Sequence, residues 1–358
     1  MSPPVHSRRV AVAIPARNEE GQLPACLAAL DRAAAACANP VTVVVIANQC
    51  TDGSAALLAR TRLDYAELHW QAVSLPEGRR HAGWARRLAF DAAADLLRDP
   101  GDLLLSTDAD TCVAPDWISR TIAHVDAGAD AVAGRALTRR SDRTALGAAA
   151  MRRLNLLGRY GVALDWLRAD LAPSAHDPWP RHFYEGGASI ALTLACYRGI
   201  GGAPTPPLGE DRALFAAVRK VGGRVRHPLD VRVFTSSRTE GRAAGGMADT
   251  VARWIAQDED APLHETYRYP AALDPARAQA DDRLSFRTLP AAIATAAAAI
   301  GARRSAAAPQ VEPVTLAPLL AHDFDRIAEA APQLGDRIVA GLGIIGVAGP
   351  VDEQQVPA

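Results

Sequence analysis

The chain has 358 residues, 49% hydrophobic and 22% charged, with 39 Lys plus Arg against 40 Asp plus Glu. That is the make-up of a globular protein of one large or two smaller domains, long enough to bury a core. A formal net charge of -1 excludes the strongly basic footprint of a bulk nucleic-acid binder. Taken in chain order, Val10–Ile14 is a short apolar run closed by Pro15, and it predicts a buried strand. Leu23, Cys26, Leu27 and Leu30 recur at the spacing of an amphipathic helix. Val41–Ile46 is a second, β-branched strand, followed by the turn-rich Asn48–Gly53 and a short helix from Ser54. A weaker strand is expected near Leu68–Leu75, then a helix carrying Ala85, Leu88, Ala92 and Leu96. Asp102–Ser106 is a fourth strand, and Pro115 is placed at the first position of a helix whose face is Ile118, Ile122 and Val125. Ala131–Ala133 is a fifth strand.

Strands thus alternate with helices over the first part of the chain, the pattern of a parallel sheet covered on both faces. The middle is less regular. A helix is expected from Ala145 to about Leu171, a Pro-, His- and Trp-containing loop over Pro173–Pro180, and a strand over Ser189–Leu194. Pro204–Gly209 is a loop that delivers Glu210 and Asp211 to a helix running from Arg212 to Val221, and Asp230–Phe234 is the last strand. Helices are expected beyond Thr250, with a loosely ordered end after Pro350. Five scattered cysteines form no C-x-x-C pair, so neither a disulfide framework nor a zinc ribbon is expected, and a reducing cytoplasm fits. Met1–Arg9 has no apolar signal core, and no uncharged apolar run reaches ~18 residues. The expectation is a cytoplasmic chain without a membrane span, with peripheral membrane contact left open.

Parallel sheets bind ligands at the carboxyl ends of their strands. Three polar clusters follow predicted strands here: Ala16–Glu20, Asn48–Asp52 and Thr107–Asp110. In the last, Asp108 and Asp110 stand one residue apart on an extended segment and so face the same side. Two such carboxylates can hold a hard divalent cation, Mg²⁺ or Mn²⁺, that offsets charge on a substrate diphosphate. The plain alternative is a solvated strand-end turn. Glu210 and Asp211 offer a general base for an acceptor hydroxyl, against the plain role of acids at a helix start. Arg79, Arg80, Arg86 and Arg87 are candidate phosphate ligands, and Thr235–Arg238 supplies hydroxyls and one more guanidinium, against a polar loop. Gly341–Gly346 matches G-x-G-x-x-G, but too little chain follows it for a dinucleotide-binding unit.

In this order the clusters resemble the family 2 glycosyltransferases, which have the GT-A fold. The matching pieces are Ile14–Glu20, Asn48–Gly53, Ser106–Asp110, Gly187–Ser189 before a strand, and Gly209–Leu214 at a late helix, covering about residues 8–240. The resemblance implies an α/β fold: a mostly parallel central sheet flanked by helices in a GT-A domain over 8–245, then a mainly helical C-terminal extension over 246–358. It implies transfer of a sugar from a nucleotide-diphosphate donor to an unknown acceptor hydroxyl, usually with inversion. By position, Pro15, Arg17, Glu19, Asn48, Arg86 and Asp108 would bind the nucleotide-sugar, with Asn48 where an Asp is usual. Asp108 and Asp110 would hold Mn²⁺ or Mg²⁺. Asp211 would be the base, with Glu210 beside it, and Trp179, His182, Tyr184 and Gly187 would meet the acceptor. One departure stands out: where relatives often carry a His after the last strand, this chain reads Val233–Thr239 without one. The competing readings are a sugar-1-phosphate nucleotidyltransferase, disfavoured because Pro15–Glu20 lacks a Gly-rich loop, and a non-catalytic nucleotide-sugar-binding protein, which has little need of a base.

Overall fold

The structure is a computed structural model that describes residues 8–139, 142, 146–236, 238, 247–263, 267–274 and 284–306. In chain order the elements are β1 (Val10–Ala16), α1 (Leu23–Ala35), β2 (Val41–Asn48), α2 (Ser54–Arg60), β3 (Glu67–Val73) and α3 (Ala82–Ala94). They continue with β4 (Leu103–Ser106), β5 (Thr111–Val113), α4 (Trp117–Asp126), β6 (Ala131–Ala133), β7 (Arg135–Thr138) and α5 (Gly147–Leu171). The last are β8 (Ile190–Thr193), α6 (Leu194–Gly199), α7 (Glu210–Lys220), β9 (Val225–Arg226), β10 (Arg232–Thr235), α8 (Met247–Ala256) and α9 (Leu289–Ala306). The Gly341–Gly346 motif and the end after Pro350 lie outside the described residues.

Seven strands form the main sheet in the order β3-β2-β1-β4-β8-β6-β9. β1, β2, β3 and β4 are parallel to their neighbours among themselves, β6 pairs parallel with β9, and β8 runs antiparallel to β4 and β6. The alternation of apolar residues decides the layers. Val10, Val12, Ile14, Val43, Val45, Leu103 and Leu105 pack with α1 and α4 on one face. Ala11, Ala13, Val44, Ile46 and Leu104 pack with α3 and α7 on the other. A strand buried on both faces must be apolar at every position, which is why β1, β2 and β4 read as unbroken runs. Each fully buried Leu of β4 contributes about 2 kcal/mol of transfer free energy.

A second sheet of three short strands, β5-β10-β7, stands beside the first. β10 is antiparallel to β5 and parallel to β7, with Thr235 opposite both Thr111 and Thr138. Neither β5, β7 nor β9 was expected from the sequence; at two to four residues they carry too little alternation to show a period. Pro115 does not open α4 as expected. The helix begins at Trp117, whose amide closes a turn on the Ala114 carbonyl at 3.0 Å. α7 begins at Glu210, two residues before its expected start, so both acids lie in its first turn.

The chain divides into two compact units. Among the described residues, the first holds those up to 151 and from 174 to 256, with both sheets, and the second those from 152 to 173 and from 257 to 306. Within the second unit, Leu157, Tyr160, Leu164 and Leu167 of α5 are buried, as are Leu289, Ile293, Ala296 and Ile300 of α9. Arg303 of α9 pairs with Asp170, and Arg153 donates to the Gln257 carbonyl at 2.8 Å and lies over the Phe286 ring.

Candidate active site

The parallel strands β1, β2 and β4 end at one edge of the sheet, and their polar clusters are joined there. Asn18 and Gln49, just past β1 and β2, both adopt positive φ, of 54° and 53°. Side chains seldom take that conformation, and Asn tolerates it best. At Asn18 it lets the side-chain oxygen accept from Thr51 N at 2.7 Å. Glu20 accepts from Gly53 N at 2.9 Å, and Glu19 N donates to Ser54 Oγ at 2.9 Å. A side chain at Gly53 would collide with Glu20, its Cβ 2.2 Å from Oε1. Asp52 takes a hydrogen bond from Glu20 N; burial opposes its ionisation, but bonds from Ser54 and Glu20 win and lower its pKa.

Of the expected nucleotide ligands, Pro15 and Asn48 stand near the ends of adjacent strands, and Arg17 is exposed in the loop after β1. Asn48 is buried, its oxygen 3.5 Å from Leu75 N, which holds the segment after β3. Glu19 is also buried, and both its oxygens accept from Arg238, at 2.6 and 2.8 Å.

Arg86, from α3, is the centre of the site. It is 6% exposed. Its Nη2 donates to Asp108 Oδ1 at 2.8 Å, its Nη1 to Ser106 Oγ at 3.1 Å and to the Gly187 carbonyl at 3.0 Å, and its Nε to Glu210 Oε1 at 3.3 Å. Burial works against this charge, but Asp108 and Glu210 more than offset it and raise the guanidinium's pKa. Gly187 has no room for a side chain: a Cβ would lie 2.1 Å from Arg86 Nη2. Its amide donates to Asp211 Oδ2 at 2.9 Å, so one glycine holds the buried arginine with its carbonyl and the candidate base with its N–H. Asp211 Oδ1 accepts from Arg212 N at 2.7 Å. Burial, and then the neighbouring Glu210, raise the Asp211 pKa. That direction makes a carboxylate a better proton acceptor.

Asp110 is the other charged centre. Burial, and then Asp108, push its pKa up to about 6, against the pull of Arg238 and Arg139. Arg238 Nη2 lies 3.0 Å from Asp110 Oδ2, and Arg139 Nη2 donates to the Asp110 carbonyl at 2.5 Å. Both arginines arrive through the small sheet. β7 ends one residue before Arg139 and β10 three residues before Arg238, and β5 starts one residue after Asp110. Arg139 was missed by sequence reasoning because nothing local marks it. Among the described residues, no three His, Cys, Asp or Glu side chains are grouped to hold a metal by themselves.

The residues expected to meet an acceptor divide. Gly187 is at the centre, as above. Tyr184 is 43% exposed and Trp179 half-buried. His182 is buried, its ring edge-on to His227 with centroids 5.7 Å apart, and its Nδ1 accepts from Tyr184 N at 3.1 Å. Burial, then His227, press its pKa down to about 3, so the ring is neutral. The loop around it is held by a buried cluster that sequence reasoning did not single out. Asp177 accepts from His227 Nδ1 at 2.8 Å and from Arg226 at 2.5 Å, and His227 Nε2 meets Glu185 at 3.1 Å.

Residues 11–166 match the family described as Glycosyl transferase family 2. No curated protein matches the chain. Among solved structures, the mannosyltransferase PcManGT from Pyrobaculum calidifontis, in complex with GDP-Man and Mn²⁺, is 21% identical, with 94% of this chain and 87% of that one covered and a TM-score of 0.44. S. aureus TarS 1-349 in complex with UDP is 15% identical, covering 93% and 89%, with a TM-score of 0.45. A longer TarS structure is 14% identical over 70% of this chain, with a TM-score of 0.44, and this chain spans only 39% of it. Among the described residues, no helix is long and apolar enough to cross a membrane. Residues 11–166 therefore carry a glycosyl transferase family 2 domain, set on a mixed α/β fold with a mostly parallel central sheet.

Proposed function

We propose that this enzyme transfers a sugar from a nucleotide-diphosphate donor to an acceptor hydroxyl by a divalent-cation-dependent, inverting displacement, with Asp211 as base. The observation that carries the reading is Arg86. One buried guanidinium touches Asp108 on the donor side and, through Gly187, the segment that holds Asp211. Donor and acceptor machinery are thereby set in one rigid frame, as a single-step displacement needs. Pro15, Arg17 and Asn48 are the residues for the nucleotide, with Glu19 acting through Arg238.

The acceptor O–H gives its proton to Asp211 while its oxygen attacks the anomeric carbon. The bond from that carbon to the diphosphate oxygen breaks, and the electron pair leaves with the diphosphate. Glu210, paired with Arg86, keeps the first turn of α7 in place and raises the basicity of Asp211. Asp108 and Asp110 are the residues that would hold Mn²⁺ or Mg²⁺. Among the described residues no third acidic or imidazole ligand joins these two carboxylates, which suits a hard cation that completes its shell with water and substrate phosphates. When bound, the cation would neutralise charge developing on the leaving diphosphate. Among macromolecules and surfaces, no nucleic-acid role is proposed, and the cytoplasm is the proposed location.

The test is the product. Purified chain, candidate nucleotide-sugars and Mn²⁺ should release nucleoside diphosphate and an inverted glycoside. Release of pyrophosphate would favour a nucleotidyltransferase instead, and neither product, with nucleotide-sugar still bound, a binding protein.

A further inference from the structure

The Arg238 bridge is not explained by sugar transfer alone. A guanidinium from beyond β10 reaches a buried acid after β1, 219 residues away in the chain, and fills both of its oxygens. The same Nη2 turns to Asp110 Oδ2 at 3.0 Å. Glu19 is held at its backbone as well: its amide donates to Ser54 Oγ, and its carbonyl accepts from Gln22 N and Leu23 N. The side facing Glu19 is thus fixed by two hydrogen bonds, and the contact to Asp110 is an ion pair through one nitrogen. The carboxylates of Asp108 and Glu19 both bear on Asp110. Arg238 is the cation shared between Glu19 and Asp110.

We propose that Arg238 is a latch that makes cation binding at Asp110 depend on the donor's diphosphate. Resting on the reading above, it assigns to this residue a regulatory part in that same site. A divalent cation arriving alone must displace Arg238 from Asp110 and break a close ion pair in a half-buried site, which is costly. A cation arriving with a diphosphate brings phosphate oxygens to replace Asp110, and Arg binds such oxygens through parallel N–H groups. Two hydrogen bonds to Glu19 keep the guanidinium in reach while its ion-pair partner changes. Cation and diphosphate therefore bind cooperatively, and the donor-free enzyme is spared the cation. The small sheet supplies the geometry, since Thr235 is paired with Thr111, the residue after Asp110. Lys would keep the charge but not the double contact to Glu19.

The experiment is a Mn²⁺ titration of the full chain, followed by the electron paramagnetic resonance signal of free Mn²⁺, without nucleotide and with saturating UDP or GDP. Wild type should bind Mn²⁺ weakly alone and at least about tenfold more tightly with the nucleotide, inside the usual 5–150-fold range of coupling between sites. Arg238→Gln should bind Mn²⁺ alone about tenfold more tightly than wild type and gain correspondingly less from the nucleotide, the remaining gain being direct ligation by phosphate. Because that variant leaves Glu19 buried without its cation, thermal melting is run beside it. If it does not fold, Arg238→Gln/Glu19→Gln, which removes both partners of the buried pair, takes its place with the same expectation. A variant that binds Mn²⁺ alone as wild type does overturns the latch. So does a wild-type Mn²⁺ affinity that ignores a nucleotide shown to bind. A wild type that binds neither UDP nor GDP, and transfers no sugar, overturns the sugar-transfer reading itself.

Discussion

Adding one methyl group at Gly187 tests whether the Arg86 frame carries catalysis. A Cβ there would sit 2.1 Å from Arg86 Nη2 and 2.7 Å from Cζ, inside any real contact distance. The guanidinium cannot swing aside, because Ser106, Asp108 and Glu210 hold it on its other sides. Either Arg86 gives up its bonds to the Gly187 carbonyl and to Asp108, or the backbone moves and takes the amide away from Asp211. Two hydrogen bonds involving a charged group are together worth about 3–6 kcal/mol. If that loss falls on the transition state, Gly187→Ala lowers kcat/KM by about 10²–10⁴-fold, at about 1.4 kcal/mol per decade. The assay is steady-state release of nucleoside diphosphate, with a urea melt to follow folding. A double-mutant cycle separates the clash from general disturbance: in an Arg86→Ala background the added methyl meets nothing at that point, so Gly187→Ala should cost little more. A Gly187→Ala enzyme with near-normal kcat/KM would refute the argument, as would an equal loss in both backgrounds.

Three further outcomes are expected. Asp211→Asn keeps the shape and removes the base, so kcat should fall by about 10²–10⁴-fold with donor-nucleotide affinity near wild type; normal turnover would exclude Asp211 as the base. Chelation by EDTA should abolish transfer and Mn²⁺ or Mg²⁺ restore it, and Asp110→Ala should not recover in any metal; full activity in chelator would remove the cation from the reaction. His182 is neutral in the fold, with its pKa pressed from 6.5 to about 3 by burial and then by His227. The unfolded chain takes up that proton first, so the contribution is complete above the unfolded pKa and is lost as pH falls toward the folded one. At pH 5 the loss is about 2 kcal/mol relative to neutral pH, and replacing His182 by Asn should flatten that part of the pH-dependence of urea unfolding. An unchanged slope would mean that the ring is not buried as a neutral group.

Local sequence determined the parallel core of the main sheet and the edge at which the candidate site lies. β1, β2 and β4 are legible because strands buried on both faces must be apolar throughout, and the polar residues that follow them must gather at the edge where parallel strands end. Asp108 and Asp110 were visible for that reason, since strand geometry alone turns both to one side. Glu210 and Asp211 were candidates from the residues, but only the resemblance chose the base, because acids in the first turn of a helix look the same whether they catalyse or stabilise the helix dipole. The tertiary structure decided what these acids touch. β5 and β7 of the small sheet, at three and four residues, are too short to show a period, yet their pairing with β10 brings Arg139 and Arg238 to Asp110. Gly187 sits among ordinary loop residues in the sequence, and only the approach of Arg86 shows why a side chain is excluded. His182 was expected to meet the acceptor, but it is buried in the fold beside the ion-paired Asp177, Arg226 and His227, which no local pattern announces. Each of these depends on partners tens to hundreds of residues apart, and such pairing is set by packing and charge balance across the fold, which no local pattern records.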